Sequence, residues 1–217
     1  MKRLAPAFLL GMLAALPAAA SVTPLTFSGN ICATSDGKCS NGSFVSQTYG
    51  DVVVGGQLQL DVRYAFTVGS PEGIAFWSTG YAGLKDVAYG ALGGTPEIAF
   101  LPAAGYQVKL LSFELGSWGG TERSTQVSLL DGATSVFSQA FSVARTPVTF
   151  DDKNKANYAL PDLWSTAGLR LRFGPDGYDV GIDNIKFQVM PVPEPGTLAL
   201  FLAGIGMMGF AIRRRAG

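Results

Sequence analysis

The chain of 217 residues carries 16 basic and 16 acidic side chains, two cysteines and no histidine. Without histidine, Ser-His-Asp and Cys-His catalysis, H-E-x-x-H proteolysis and three-histidine zinc sites are all excluded. Balanced charge argues against a nucleic-acid partner, which needs clustered Lys and Arg. With 28 Gly and 12 Pro but only 15% charged residues, the composition suits a turn-rich β protein, and 47% hydrophobic residues are enough to bury a core.

Met1-Lys2-Arg3 precedes an apolar run over 4–16 and then Ala18-Ala19-Ala20. A positive start, a short apolar stretch and an Ala-x-Ala site predict a secretory signal peptide over 1–20, cut after Ala20. The alternative is an uncleaved anchor, for which the run is short. Next, Cys32 and Cys39 enclose a polar, turn-prone stretch. In an oxidising compartment they predict a structural disulfide; two thiolates without histidine make a poor metal site.

The body, 21–190, reads as all-β. Leu58, Leu60, Val62, Tyr64, Phe66 and Val68 alternate with more polar residues, which predicts a strand with one wet face. Further strands are predicted over 98–100, 106–115, 126–130, 136–143, 148–150, 169–173 and 180–189. The apolar phase switches between Leu110 and Leu111, and again near Asp183, as a β-bulge inside a strand would produce. Gly55-Gly56, Gly119-Gly120, Asp131-Gly132 and Pro175-Asp176-Gly177 supply turns. The long Gly-rich segment 78–95 predicts a surface loop. The expected fold is one antiparallel β-sandwich, jelly-roll-like, over 21–190.

At the C-terminus, Pro193-Glu194-Pro195 leads into 17 residues, 196–212, whose only polar member is Thr197, and then Arg213, Arg214 and Arg215. As a helix the apolar stretch would run roughly 26 Å, at about 1.5 Å per residue, just enough for a single transmembrane span. The arginines would stay cytoplasmic and the body would face outward. An ordinary membrane tail is the alternative. Without 1–20 and 191–217 the body keeps 11 basic and 15 acidic side chains, a net charge near −4.

Within the tail 191–217, residues 192–215 resemble the PEP-CTERM sorting signal of Gram-negative bacteria, also catalogued as an ice-binding-protein C-terminal motif. Pro193, Glu194, Pro195, the apolar helix and Arg213 to Arg215 carry the resemblance. It implies an exported protein held briefly in the inner membrane, cleavage at the Pro-Glu-Pro site by an exosortase, and a host that makes exopolysaccharide and biofilm. Tyr49-Gly50-Asp51, Gly105-Tyr106, Ser112-Phe113-Glu114-Leu115-Gly116 and Val180-Gly181-Ile182-Asp183-Asn184-Ile185 are similar to exported bodies with a galactose-binding-like jelly roll. That second resemblance implies a fold more than a function.

Carboxylates are the only general acids or bases left, and nothing in their spacing picks out the pair a glycosidase needs; no catalytic residue and no organic cofactor is expected. Glu114 and Asp183 are candidate ligands of a structural calcium ion, which takes oxygen donors. Otherwise Asp183 bonds the backbone at its bulge. Tyr81, Tyr89 and Trp118 are candidate glycan contacts, since flat exposed rings stack on sugar faces; alternatively they cap the core. The expected role is a non-enzymatic envelope or matrix protein, with a carbohydrate-binding module as the second reading.

Overall fold

The computed structural model describes residues 20–66, 73–90, 94–152, 158–193 and 203–205. Its twelve strands are β1 (Ser21–Leu25), β2 (Val52–Val54), β3 (Gln57–Ala65), β4 (Ala75–Trp77), β5 (Val87–Tyr89), β6 (Glu97–Pro102), β7 (Tyr106–Ser117), β8 (Arg123–Asp131), β9 (Thr134–Val143), β10 (Val148–Asp151), β11 (Leu169–Gly174) and β12 (Val180–Pro191). The first sheet runs β10-β7-β12-β5-β4, with β1 also on β12, and the second runs β2-β3-β6-β11-β8-β9. All the strand pairings are antiparallel.

Period-two alternation explains the second sheet. Leu60, Val62 and Tyr64 of β3, Ile98 and Phe100 of β6, and Leu169, Leu171 and Phe173 of β11 are buried on one side. They meet the inward residues of the first sheet; Phe100 and Phe187, for example, stand 5.2 Å apart between ring centres. Strand ends follow from turn chemistry. Gly55 and Gly56 both take positive φ, 59° and 79°, as the tight β2–β3 hairpin requires.

Both phase switches are bulges, and they face each other across β7 and β12. The register shifts between Asp183 and Lys186 and again between Lys186 and Phe187. The first shift adds a residue to β12 and the second adds Leu111 to β7, so the two cancel and pairing resumes with Phe187 opposite Leu110. Asn184, at φ 52°, takes the left-handed conformation there. Each strand thereby keeps an apolar set on the core side: Val180 and Ile182, then Ile185 and Phe187; Val108 and Leu110, then Phe113 and Leu115.

The expectation of a surface loop over 78–95 is corrected. The segment contains β5, whose three residues are buried and lie between β4 and β12. Three apolar residues are too few to show a period, and the surrounding glycines serve tight turns rather than exposure. Gly80, Ala82, Gly83 and Asp86 all have positive φ, which folds the chain back onto the sheet.

The described residues of the tail are Pro193 and the helical residues 203–205. Among the described residues no helix is long and apolar enough to cross a membrane. The predicted signal peptide up to residue 19, Glu194, Pro195, most of the 196–212 span and Arg213, Arg214 and Arg215 lie outside the described residues.

Candidate functional site

Two poles organise the molecule. β12 ends at Pro191, and the next residue, Val192, donates its N–H to the Gly105 carbonyl at 2.8 Å. Pro193 therefore follows the sandwich almost without a spacer. Ser21 pairs with Val189 at the same end, so both ends of the body emerge side by side. β7 starts at this pole and ends at Ser117, roughly 35 Å away at about 3.3 Å per residue. Trp118 follows immediately, at the far pole.

The far pole gathers the aromatic residues expected as glycan contacts. Tyr81 lies 5.2 Å from Trp118 and 6.0 Å from Tyr89, between ring centres. Trp77 completes the group, 5.3 Å from Trp118, and Tyr178 packs 5.8 Å from Tyr89. Their exposures differ. Tyr81 is 2% and Tyr89 4% exposed, whereas Trp118 is 37% and Tyr178 52% exposed. As flat contacts for a sugar, Tyr81 and Tyr89 are corrected: both are packed inside a small apolar cluster on the outer face of the first sheet. Burial raises the phenol pKa of each above its usual value.

Two glycines build that cluster. Gly116 and Gly181 are opposite partners on β7 and β12, and together they leave a bare patch of backbone. A Cβ on Gly116 would stand 2.4 Å from the Tyr81 carbonyl oxygen, and one on Gly181 would stand 2.9 Å from its ring. The Tyr81 hydroxyl donates to the Tyr178 carbonyl at 2.8 Å, which fastens the segment over the patch. Trp77 and Tyr178 belong with Tyr81, Tyr89 and Trp118 to the aromatic residues that the sequence offers, whereas nothing in it pairs the two glycines. Both glycines sit inside apolar runs, where a glycine often signals close approach.

Glu114 and Asp183 do stand directly opposite each other on β7 and β12. Glu114 accepts from Asn184 Nδ2 at 2.8 Å and from Thr149 Oγ1 at 3.4 Å. Asp183 is 5% exposed, and its Oδ1 has no hydrogen-bond partner among the described residues. Burial pushes the Asp183 carboxyl up to about 7, against the pull of the Asn184 N–H; Glu114 and Asp86 add repulsion. No group of three or more Asp, Glu, His or Cys suited to a metal occurs among the described residues. Cys32 and Cys39 form the predicted disulfide.

A charged concavity also lies on the outer face of the second sheet. Arg63, Ala99 and Arg170 are lateral neighbours on β3, β6 and β11, and Ala65, Glu97 and Arg172 form the adjoining row. Arg170 Nη1 and Arg172 Nε donate to the two oxygens of Glu97 at 2.8 and 2.7 Å. Alternation of Arg170 and Arg172 with Leu169, Leu171 and Phe173 places two cations on one face. No local pattern reveals Glu97, which lies 73 residues from Arg170.

No curated protein matches the chain. A solved structure titled "CBM4 structure and function" is 17% identical, covers 58% of this chain and 90% of its own, and has a TM-score of 0.24. Nothing about fold or ligand follows at that score. The profile of the PEP-CTERM protein-sorting motif matches residues 191–215, starting at the last residue of β12.

Proposed function

We propose that this is a non-enzymatic exported protein that an exosortase processes at its C-terminus, leaving a β-sandwich in the envelope or matrix beside exopolysaccharide. The join between fold and motif carries the reading: the sorting motif begins where β12 ends, and Ser21 pairs beside it. A signal peptide cut after Ala20 and a C-terminal span would both enter the inner membrane from this one pole. Two prolines flank Glu194 and oppose continuation of a helix into the strand, which suits Pro193-Glu194-Pro195 to recognition by a protease. Arg213, Arg214 and Arg215 hold the tail on the cytoplasmic side, because carrying them across the bilayer centre costs several kcal/mol. Replacing Glu194 with Ala is expected to leave insertion intact and to block processing, so that full-length protein accumulates in the membrane fraction. Release of Glu194→Ala protein at the wild-type rate would mean that the tail is a plain anchor.

A carbohydrate-binding module on a jelly-roll-like sandwich is the second reading. Trp118 and Tyr178 favour it, because they are exposed at the pole turned away from the membrane-bound end. Glycan-array binding lost in Trp118→Ala supports it; unchanged binding counts against it. Calcium at Glu114 and Asp183 is supported by the unpaired Asp183 Oδ1 alone. A calcium-dependent rise in Tm that vanishes in Asp183→Asn tests that site.

A further inference from the structure

We infer that the concavity on the outer face of the second sheet binds a saccharide that carries a carboxylate. The inference rests on the reading that the exported body meets exopolysaccharide, and it names the class of sugar. Gln47, Arg63, Tyr64, Ala65, Glu97, Ala99 and Arg170 line a space of about 310 Å³. Ligand sites run from roughly 300 to 1,000 Å³, so this one suits a single unit of a polymer rather than a long stretch.

The floor and walls have different chemistry. Ala65 and Ala99 supply small apolar side chains under the space, while the residues around them are long and polar. Arg63 and Arg170 stand on either side of Ala99, two strand spacings apart, or about 9.6 Å between backbones. Arg63 is held from below: its Nε and Nη2 bond Asp61 Oδ2 at 2.9 and 2.8 Å, and Nη1 donates to the Gln47 carbonyl at 3.2 Å. The Gln47 amide is itself fixed, since it donates to the Tyr64 carbonyl at 2.8 Å and accepts the Tyr64 N–H at 3.0 Å. Glu97 orients Arg170 and Arg172 from the other side. Arg170 keeps 40% of its side chain exposed, and a guanidinium has five N–H groups, of which Glu97 engages only part.

Charge selects the ligand. Three of the five arginines between residues 21 and 190 stand on this face, in a body whose net charge is near −4. At the β11 end of the groove Arg170 and Arg172 share the single carboxylate of Glu97, leaving one positive charge in excess there, whereas Arg63 stands beside both Asp61 and Asp51. One excess charge fits one carboxylate, which a guanidinium fork binds through two parallel hydrogen bonds. It does not fit a nucleic acid, whose run of phosphates needs several. Glu97 and Gln47 supply acceptors and a donor for sugar hydroxyls, which both donate and accept.

The test is titration calorimetry on the full-length chain in detergent. The probes are a four-unit oligogalacturonate and the same oligomer fully methyl-esterified, which removes the charge and keeps the rings. The acid is expected to bind at least tenfold more tightly than the ester, and more weakly as salt rises. Arg170→Gln and Arg63→Gln, each checked for a wild-type unfolding curve, should each lose most of that difference. Arg63→Lys guards against misfolding, because it keeps the charge and loses the fork; partial loss is expected. Equal binding of acid and ester, no binding of the acid, or wild-type binding by Arg170→Gln would each overturn the inference. So would loss of binding in Trp118→Ala, which would move the site to the aromatic pole. None of these outcomes depends on Glu194, so the groove and the sorting signal fail separately.

Discussion

The outer faces of the two sheets are built on opposite plans. On the first sheet the chain folds back over its own strands, and Tyr81 settles on the Gly116–Gly181 patch with Trp77, Tyr89 and Trp118 around it. At the start of β12 both faces are consequently covered: Val180, Gly181, Ile182 and Asp183 are all buried. On the second sheet nothing comparable covers the described outer residues. Arg63, Arg170 and Arg172 pair with acids there, and Gln126 bonds Ser138 on the same sheet. The first plan adds a small second core and so adds stability. The second leaves polar groups that a ligand can reach.

Tyr81→Ala should break this difference most severely. Truncating a buried aromatic ring costs about 3–5 kcal/mol, and here the Tyr178 carbonyl also loses its donor. Urea unfolding is expected to show a loss of that size, with Trp fluorescence altered because Trp118 packs against the Tyr81 ring. A loss below about 1 kcal/mol would mean that the cluster is a loose cover and not a second core.

Gly116→Ala sharpens the same point from the strand side. The added methyl meets a backbone oxygen at 2.4 Å, which cannot rotate away as a side-chain tip can. Overpacking of this kind costs about 1–3 kcal/mol. Ser128→Ala, on the outer face of the second sheet, should change stability by less than about 0.5 kcal/mol, which makes the pair a direct comparison of the two faces by thermal unfolding.

The same contrast decides how much could be read in the sequence. Much of the second sheet was legible because β3, β8 and β11 each have one wet face: Leu60, Val62 and Tyr64 alternate with Gln59, Asp61 and Arg63. The two bulges were legible too, since an added residue shifts the apolar phase at Leu111 and beside Asp183. β5 was not, because Val87–Tyr89 is short and buried on both faces, which leaves no alternation. β1, β2 and β4 are also short, and too few residues alternate in them to show a period. At the candidate sites, residue type pointed to Tyr81, Tyr89 and Trp118, and the structure does bring them together. Which ring stays exposed was decided by glycines on two other strands. The Glu97–Arg170 contact joins residues with no local relation at all, so the groove had no signature short of the fold.

The last expected effect concerns Asp183, where the covered face meets a charge. Its carboxyl is raised from 3.8 to about 7, by burial first and by Glu114 and Asp86 to a smaller extent. Below about pH 4 the folded and unfolded chains both carry the proton, and Asp183 contributes no pH dependence. Between about pH 4 and 7 the unfolded chain releases it while the folded chain holds it, so stability falls as pH rises. Above about pH 7 the folded chain bears an ionised, crowded carboxylate, and the penalty is complete. Asn carries no titrating proton, so Asp183→Asn should gain on the wild type by about 1–2 kcal/mol between about pH 4 and pH 8; a tenfold change in proton affinity is worth about 1.4 kcal/mol, and solvent screening reduces the total. Urea unfolding of both proteins at about pH 4, 5.5 and 8, without divalent cations, measures the change. A difference that stays constant across that series would show that Asp183 is ionised throughout, and that the cover over the start of β12 admits more water than its packing implies.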